Sequence, residues 1–401
     1  NPLASFSSHI DDYVAESLRH EGQGDAISQP YCGGTGCENS DFTYCCVTCQ
    51  DVRLFCKSCI VMTHWNSPTH IVQHWNGKYF NKIPLCKLSL PYQVRHLLGD
   101  ICPHPQPVFG THFMIIDTNS VHDVTLIFCS CSHEHLLAIQ LQRAWLFLGT
   151  VIEPCMAVTM AALEQFQMLM FMGKLSAYKY YHSLAQLSDN TGTSTPSVCR
   201  VLSIYDAFIH IVWEWSFIHL LKQAGIGNNA GGWKAAELVS CTVDCLACPC
   251  PGVNIPILRL ILFNRLDAWE DTLFISMDAN FKLERFEVSS EEKDPSLGSG
   301  LGYFVDTTSF KNHLKITCND HEAAKPDKTC AQSRALAASG VGGVICTCHE
   351  LKLVLCTELF NIRQVKMDYR YLTAVRRFNG IPCIMMSYNI TCQWSINLED
   401  R

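Results

Sequence analysis

The sequence predicts an α+β protein of several domains, and three patterns along the chain support that fold class. Paired cysteines and histidines crowd residues 32–70, apolar residues recur at three- and four-residue spacing from about 155 to 225, and short apolar runs separated by turns follow residue 270. A chain of 401 residues is long enough for two or three domains. We therefore expect an N-terminal cysteine cluster, a helical middle region and a C-terminal α/β core.

The composition indicates the cellular compartment of the protein. The chain has 24 cysteines, and its polar residues 1–30, expected to be disordered, lack the basic head and apolar block of a secretory signal. Cysteine-rich chains without such a signal keep their thiols reduced or metal-bound, which indicates a cytosolic or nuclear protein. The missing initiator methionine leads us to expect a fragment of a longer gene product.

Two classes of partner are disfavoured. Glu153 and Glu164 interrupt the most apolar stretch, 144–172, so no membrane span is expected. The net charge of −7 does not favour nucleic acid in general, and any DNA binding would have to use local basic patches.

Eight residues of metal-binding type lie between residues 32 and 70 at short, regular spacing. They form the pairs C-x4-C, C-x2-C, C-x2-C and H-x5-H, in the order Cys32, Cys37, Cys46, Cys49, Cys56, Cys59, His64 and His70. A zinc ion takes four sulfur or nitrogen ligands in a tetrahedron, and one short pair supplies two of them. We predict two structural zinc ions, the first and third pairs binding one and the second and fourth the other. The alternative is a disulfide framework, but such frameworks seldom interleave histidines at these spacings.

A second group of cysteines lies beside a predicted hairpin. Two strands are predicted at 113–117 and 123–129, joined by a turn at Asn119–Ser120. The cysteines near them, with His104 and His133 as neighbours, are Cys102, Cys129 and Cys131. C-x-C is a poorer metal-binding pair than C-x2-C, so a zinc site and plain buried cysteines remain equal alternatives.

Two further groups of cysteines follow in the second half of the chain. A loop at 226–256 contains Cys241, Cys245, Cys248 and Cys250, a zinc candidate whose remaining ligand would come from elsewhere. Cys330, Cys346 and His349 are better explained as buried residues than as a small metal site.

The middle of the chain carries helical patterns. MAALEQFQMLMFMGKL and YDAFIHIVWEWSFIHLLKQAG each predict a helix, the second beginning near Asp206 and ending before Gly225. Their methionine and aromatic stripes, together with His210 and His219, are interpreted as core or surface residues rather than ligands.

After residue 270 the pattern is strand, strand, strand, helix, strand. The first predicted strand ends near Asp278, later strands are VGGVICT and LKLVLCT, VKMDYRYLTAVRRF is a helix, and IPCIMMSYN is a last strand ending at Asn389. SFKNHLKI is a short additional helix. The glycines of 295–304 do not match a phosphate-binding loop and predict a flexible connection. This order is that of an RNase-H-like core, whose first and fourth strands place carboxylates side by side to bind two divalent metal ions.

Several long motifs resemble the KDZ (Kyakuja–Dileera–Zisupton) transposases of fungi and other eukaryotes. They are SMDANF, SSEEKDPSLGSGLGYFV, VKMDY and SYNITCQW, and the stretch from WNGKYF to KLSAYKYYHSLAQLSDNTG is similar to the cysteine-cluster domain fused to those transposases. CTVDCLACPCPGVNIP resembles the cysteine-rich link that precedes the catalytic domain. The domains expected are a disordered segment at 1–30, a B-box-like zinc cluster at 31–75, the KDZ-associated cysteine-cluster domain at 76–190, a helical region and link at 191–256, and a partial RNase-H-like core at 257–401.

The resemblance implies DNA cut-and-paste transposition by a DDE triad with Mg²⁺ or Mn²⁺. The first acid corresponds to Asp278, while the second position holds Asn389, and a third acid would lie beyond Arg401. An amide keeps an oxygen ligand but loses the charge, so metal binding should be severely weakened. Asp368 is interpreted as a helix-start residue in preference to a supplementary acid near the metals. The basic residues considered for phosphate contact, with a solvated helix face as the alternative, are Lys282, Arg285, Arg370, Arg376 and Arg377.

Two functions are therefore expected in competition. One is a transposase-like protein, truncated or decayed and without activity, that binds transposon ends as an oligomer in the nucleus. The other is a non-enzymatic zinc-dependent adaptor for DNA or protein, since the 32–70 cluster also resembles the protein-binding B-box of tripartite-motif proteins. The expected cofactors are structural zinc and, for catalysis, magnesium or manganese.

Overall fold

The chain divides into two compact units, Asn1–Trp215 and Ser216–Arg401. A computed structural model describes residues 2–96, 100–108, 113–131, 136–150, 153–189, 198–256, 269–280, 282, 285–286, 296–316, 336–338, 340–353, 357–359, 364–389, 391 and 395. Its sheets and helices agree with the predicted mixture of α and β structure.

The first unit begins with exposed helices where the composition predicted disorder. Helices α1 (Pro2–Ser7) and α2 (Ile10–Glu21) have no buried residue. Asp11 and Asp12 in the first turn of α2 and Arg19 in its last turn match the helix dipole, which explains local helix formation without a core. The segment therefore adds little to the packing of the unit.

A small three-stranded sheet with one helix follows. Its elements are β1 (Tyr44–Cys46), α3 (Lys57–Thr63), β2 (Val72–Trp75) and β3 (Phe80–Ile83). The strand order is β1-β2-β3, with both pairs antiparallel. Its small core contains cysteines beside Phe55, Ile60 and Val72, so the metal-type ligands and the apolar residues share one interior.

The larger sheet of the first unit has six strands in the order β4-β7-β6-β9-β8, with β5 also paired to β7. These strands are β4 (Pro91–Gln93), β5 (Pro105–Pro107), β6 (Phe113–Ile116), β7 (Val121–Cys129), β8 (Leu146–Leu148) and β9 (Met156–Thr159). The predicted hairpin is confirmed, because β6 and β7 pair antiparallel and Asp117 N donates to Ser120 O.

Four helices accompany this sheet: α4 (Leu137–Arg143), α5 (Met160–Gly173), α6 (Ala177–Ser188) and α7 (Val198–Gln223). Phe166, Tyr180 and Phe208 from three of them pack in one core with Ile116 and Val158 of the sheet. The predicted start of the second helix is wrong, because α7 extends back to Val198 and Asp206 lies in its interior. Its predicted end is confirmed, since Gly225 follows the helix with a φ of 72°.

No helix within the described part of the chain is both long and apolar enough to cross a membrane.

The second unit contains a four-stranded sheet in the order β14-β13-β10-β15. Its strands are β10 (Thr272–Asn280), β13 (Gly340–Cys346), β14 (Thr357–Leu359) and β15 (Cys383–Tyr388), while β11 (Arg285–Phe286) and β12 (Leu336–Ala338) pair separately. β10 is antiparallel to β13 and parallel to β15. The helices of this unit's sheet region are α8 (Thr307–Ile316) and α9 (Gln364–Val375).

The core beneath this sheet combines Leu273, Ile275 and Val344 with Met367 of α9. The first part of the predicted strand LKLVLCT pairs with β13: Cys346 N donates to Leu351 O, Lys352 bridges Ile345, and Leu353 N donates to Val344 O. Its last residue, Thr357, belongs to β14. Residues 354–356 lie outside the described part.

The glycine-rich loop also differs from its prediction as a flexible connection. Val239 N donates to Gly300 O at 2.7 Å and Cys241 N donates to Leu301 O at 2.9 Å, so the loop pairs with the cysteine-rich segment. Leu301 is buried against Ile226. The glycine-rich composition gave no sign of this burial, so the sequence predicted a flexible loop.

Candidate metal centres

Among the residues that the structure describes, four groups of cysteine and histidine side chains lie close enough to share a metal ion, and in each group the ligand atoms are within 4.8 Å of one another. Cluster 1 is Cys32, Cys37, Cys56 and Cys59, and cluster 2 is Cys46, Cys49, His64 and His70. Cluster 3 is His96, Cys102, Cys129 and Cys131. Cluster 4 is Cys245, Cys346 and His349.

Clusters 1 and 2 have the interleaved arrangement expected from the spacing. Helix α3 connects them, because Cys56 and Cys59 at its start belong to cluster 1 and His64 directly after it belongs to cluster 2. Cys46 ends β1 and His70 precedes β2, so the antiparallel pairing of these strands brings the other ligands of cluster 2 together.

Hydrogen bonds prepare cluster 1 for a cation. Gly34 N and Cys56 N both donate to Cys32 Sγ, at 3.4 and 3.1 Å, and Cys37 Sγ lies 3.9 Å from Cys56 Sγ. Burial opposes ionisation of Cys56, but hydrogen bonds from the Ser58 hydroxyl and Cys59 outweigh it and lower the pKa of Cys56 to about 6. Cys56 thus favours the thiolate, the form that binds metal, whereas burial and the neighbouring thiols raise the pKa of Cys59 to about 12.

Cluster 2 fixes one histidine tautomer. His64 Nδ1 donates to Ile60 O at 2.8 Å, which leaves Nε2 as the free lone pair, 3.4 Å from Cys49 Sγ. His70 Nδ1 lies 3.2 Å from the same sulfur. Burial lowers the pKa of both His64 and His70 and keeps them neutral. A backbone carbonyl that orients the second ring nitrogen is the usual support for a metal-binding histidine.

Cluster 3 brings together all three predicted cysteines but a different histidine. His96 Nε2 lies 3.1 Å from Cys129 Sγ, and Cys102 Sγ lies 3.5 Å from Cys131 Sγ. His104 contributes only its backbone carbonyl, which accepts from Ser130 N, and His133 lies outside the described residues. The parallel pairing of β4 with β7 brings His96 to the end of β7, a contact that no local spacing reveals.

The buried side chain of Gln140 positions Cys129. Its Oε1 accepts from Cys129 N and its Nε2 donates to Cys129 O, both at 2.9 Å. Burial opposes ionisation of Cys129, yet hydrogen bonds from Cys131 and His96 lower the pKa of Cys129 to about 6. Sequence reasoning missed Gln140, because a glutamine on a helix carries no local sign of this role.

Cluster 4 divides the predicted 241–250 group. Cys245 Sγ lies 3.8 Å from Cys346 Sγ and 3.6 Å from His349 Nδ1, and Cys248 contacts both Cys245 and Cys346. Cys241 instead packs with Ile226 and Leu301, so its assignment as a zinc ligand is not supported by its position. Cys346 and His349, interpreted from sequence as simply buried, join the cluster, while Cys330 is outside the described residues.

The predicted acid position lies on the central strand of the second unit. Asp278 is exposed near the end of β10, and its Oδ1 accepts from Ala279 N at 2.7 Å. The last parallel pair of β10 and β15 is Met277 with Tyr388, so Asp278 and Asn389 are the next residues along the two neighbouring strands. Within the described residues, Asp278 belongs to no group of three metal-type ligands.

The basic residues expected to contact phosphate are only partly available. Arg370 is fully buried in α9, so it is excluded from that role, whereas Lys282 and Arg376 are exposed. The side chains of Arg285 and Arg377 lie outside the description. Asp368 is buried in the second turn of α9 and is not a helix-start charge.

Two family models match the chain. The CxC2-like cysteine cluster associated with KDZ transposases matches residues 85–192, and the Kyakuja-Dileera-Zisupton transposase matches residues 271–401. Residues 271–401 thus form a KDZ transposase domain, and residues 85–192 form the kind of cysteine cluster that accompanies such domains.

The matched regions include much of the candidate chemistry. Cluster 3 lies within the CxC2-like region, and Asp278 and Asn389 lie within the KDZ domain. Clusters 1 and 2 precede both regions, and their cysteine and histidine side chains are suited to zinc. No curated protein and no solved structure matches the chain.

Proposed function

We propose that this KDZ protein is a DNA-processing protein of the transposase type, with an RNase-H-like core that retains one catalytic carboxylate. The observation that carries the proposal is the parallel pairing of β10 with β15, which makes Asp278 and Asn389 neighbours on adjacent strands. The order β14-β13-β10-β15, with α9 between β14 and β15 along the chain, supports the same core.

The proposed substrate is DNA, and the ancestral reaction is phosphodiester hydrolysis followed by strand transfer. Two divalent ions need several anionic oxygens around them, both to bind and to activate the attacking oxygen. Asp278 supplies a carboxylate, whereas Asn389 supplies a neutral amide oxygen. The pair supplies only one of the two negative charges that the metal ions need. We therefore propose that nicking by the present chain is severely weakened.

The decisive experiment restores the missing charge. The full chain and its Asn389→Asp variant are incubated with supercoiled plasmid and Mn²⁺, and nicked circles are measured. We expect nicking and Mn²⁺ binding to rise at least tenfold in Asn389→Asp and to vanish when Asp278→Ala is added. Asn379→Asp, which adds the same charge at an exposed position outside this pair, is the matched control.

Equal nicking by the Asn389→Asp and Asn379→Asp variants would contradict the proposed pairing of positions 278 and 389. Nicking that survives Asp278→Ala would identify a contaminating nuclease.

A non-catalytic adaptor is the second candidate, and the complete four-ligand sets of clusters 1, 2 and 3 favour it. In that case the zinc-bearing region would bind DNA or a protein partner, and the second unit would have no catalytic activity. Binding of a fluorescent duplex that is equally strong with and without Mg²⁺, and that gives no nicking when Mg²⁺ or Mn²⁺ is present, would support this candidate. Either function is proposed to operate in the nucleus, with assembly into oligomers on DNA.

A further inference from the structure

The cysteine-rich segment before the KDZ domain meets the turn after β13 at cluster 4. Cys245 comes from the segment, and Cys346 and His349 come from the end of β13 and the turn that follows it. Cys248 is buried in the same core as Cys245 and Cys346 and is the candidate fourth ligand. The spacing is C-x2-C in one segment and C-x2-H in the other. Two such pairs from separate segments are the usual composition of a structural zinc site.

The distances within cluster 4 fit a tetrahedral ion. Bonds of about 2.3 Å to sulfur and about 2.0 Å to nitrogen place the ligand atoms about 3.8 Å apart for two sulfurs and about 3.5 Å apart for sulfur and nitrogen. The observed separations are 3.8 Å for Cys245 Sγ to Cys346 Sγ, and 3.6 and 3.5 Å from His349 Nδ1 to these two sulfurs. A disulfide would need the sulfurs about 2.05 Å apart.

The surrounding backbone holds both pairs in position. Asn254 Nδ2 donates to Leu246 O and Cys248 O, and its Oδ1 accepts from Cys250 N, which fixes the turn around the first pair. On the other side Cys346 N donates to Leu351 O and Glu350 N donates to Cys346 O. Both turns are therefore formed by contacts other than the thiols themselves.

We propose that Cys245, Cys248, Cys346 and His349 bind one structural zinc ion that fastens the cysteine-rich segment to the sheet of the KDZ domain. Four protein ligands leave no open position for water, so the ion is structural rather than catalytic. This site is distinct from the CxC2-like cluster, and it does not depend on the function proposed above.

The position of the site would allow a bound zinc ion to hold β10 in place. Cys346 pairs with Ile275, and Thr347 N donates to Phe274 O at 3.1 Å, so the zinc-bearing turn is hydrogen-bonded to the strand that carries Asp278. Three residues along a strand span about 10 Å, the separation from Ile275 to Asp278. The zinc ion would thus stabilise the strand that carries Asp278 without contacting Asp278 itself.

The test measures zinc and thiol protection in the full chain. Wild type should contain one more zinc per chain than Cys346→Ser or His349→Ala, by elemental mass spectrometry. The matched control is Cys348→Ser, which removes an exposed thiol from the same turn and should keep the full zinc content. A second control, Cys250→Ser, removes a thiol beside the first pair.

Two measurements keep the test valid if a variant folds poorly. In native wild type, Cys245, Cys248 and Cys346 should resist alkylation until a chelator is added, while Cys348 reacts at once. A cobalt-loaded His349→Cys variant should keep its metal and shift its absorption toward that of a four-thiolate site. Unchanged zinc content in Cys346→Ser, or equal alkylation of Cys346 and Cys348 before chelation, would overturn the proposal.

Discussion

At the scale of single residues, the metal ligands divide into those with local spacing and those without. The pairs of clusters 1 and 2 are visible in the sequence because each pair occupies one turn. His96 was missed because it reaches Cys129 through strand pairing across 33 residues. Cys245 and Cys346 each belong to a different candidate group in the sequence, because they are 101 residues apart and only the fold brings them together.

Gln140 gives a residue-scale prediction. Gln140→Leu keeps the apolar volume but leaves Cys129 N and Cys129 O without their side-chain partners, and each buried orphan costs about 1–3 kcal/mol. We expect a loss of about 3 kcal/mol in stability and weaker metal retention at cluster 3. Chelator competition and thermal unfolding of the full chain provide the measurements.

Gln142→Leu, a half-buried glutamine on the same helix, is the control and should change little. Equal metal retention in the Gln140→Leu and Gln142→Leu variants would show that Gln140 does not position Cys129.

At the scale of elements, periodic patterns predicted most of the second unit's sheet. β10, β13, α9 and β15 lie where the apolar runs indicated, because each buries one face in a shared core. The short helix α2 could not be predicted from burial, since it buries nothing, and the ordered glycine-rich loop depends on backbone pairing with residues about 60 positions earlier.

The packing of α9 on the sheet leads to a second prediction. Gly342 of β13 lies against the buried guanidinium of Arg370, and a Cβ at this position would overlap it. Because Arg370 is completely enclosed, it has little room to move, and Gly342→Ala should destabilise the second unit by about 3 kcal/mol.

The comparison variant is Gly302→Ala, whose Cβ would meet nothing within 4 Å. Thermal unfolding followed by hydrogen exchange in β10 and β13 measures the difference. A Gly342→Ala protein as stable as Gly302→Ala would mean that Arg370 repacks without cost.

At the scale of the whole molecule, metal and apolar burial contribute unequally to the two units. Clusters 1 and 2 lie within a small core that their own cysteines share with a few apolar residues, whereas the sheet of the second unit has an apolar core that includes Leu273, Ile275 and Val344. Small modules of the first kind fold on binding metal, but a sheet with its own core does not require it.

Chelation should therefore act unevenly along the chain. After EDTA treatment we expect amide exchange in residues 30–75 to rise to the level of unfolded chain. Exchange should rise moderately at 241–256, and β10 and β15 should remain protected. Hydrogen-exchange mass spectrometry of the full chain measures all three segments together. Uniform protection before and after chelation would contradict a structural role for zinc.

Helix α3 has seven residues and therefore a length of about 10 Å, with ligands of one ion at its start and a ligand of the other directly after its end. With both sites filled, loss of either ion would loosen the helix that orients a donor for the other. Metal uptake by clusters 1 and 2 should consequently be cooperative, with singly loaded protein scarce at every zinc concentration. Residues 32–70 are therefore expected to be either fully assembled or open during zinc titration, which native mass spectrometry of the full chain would measure.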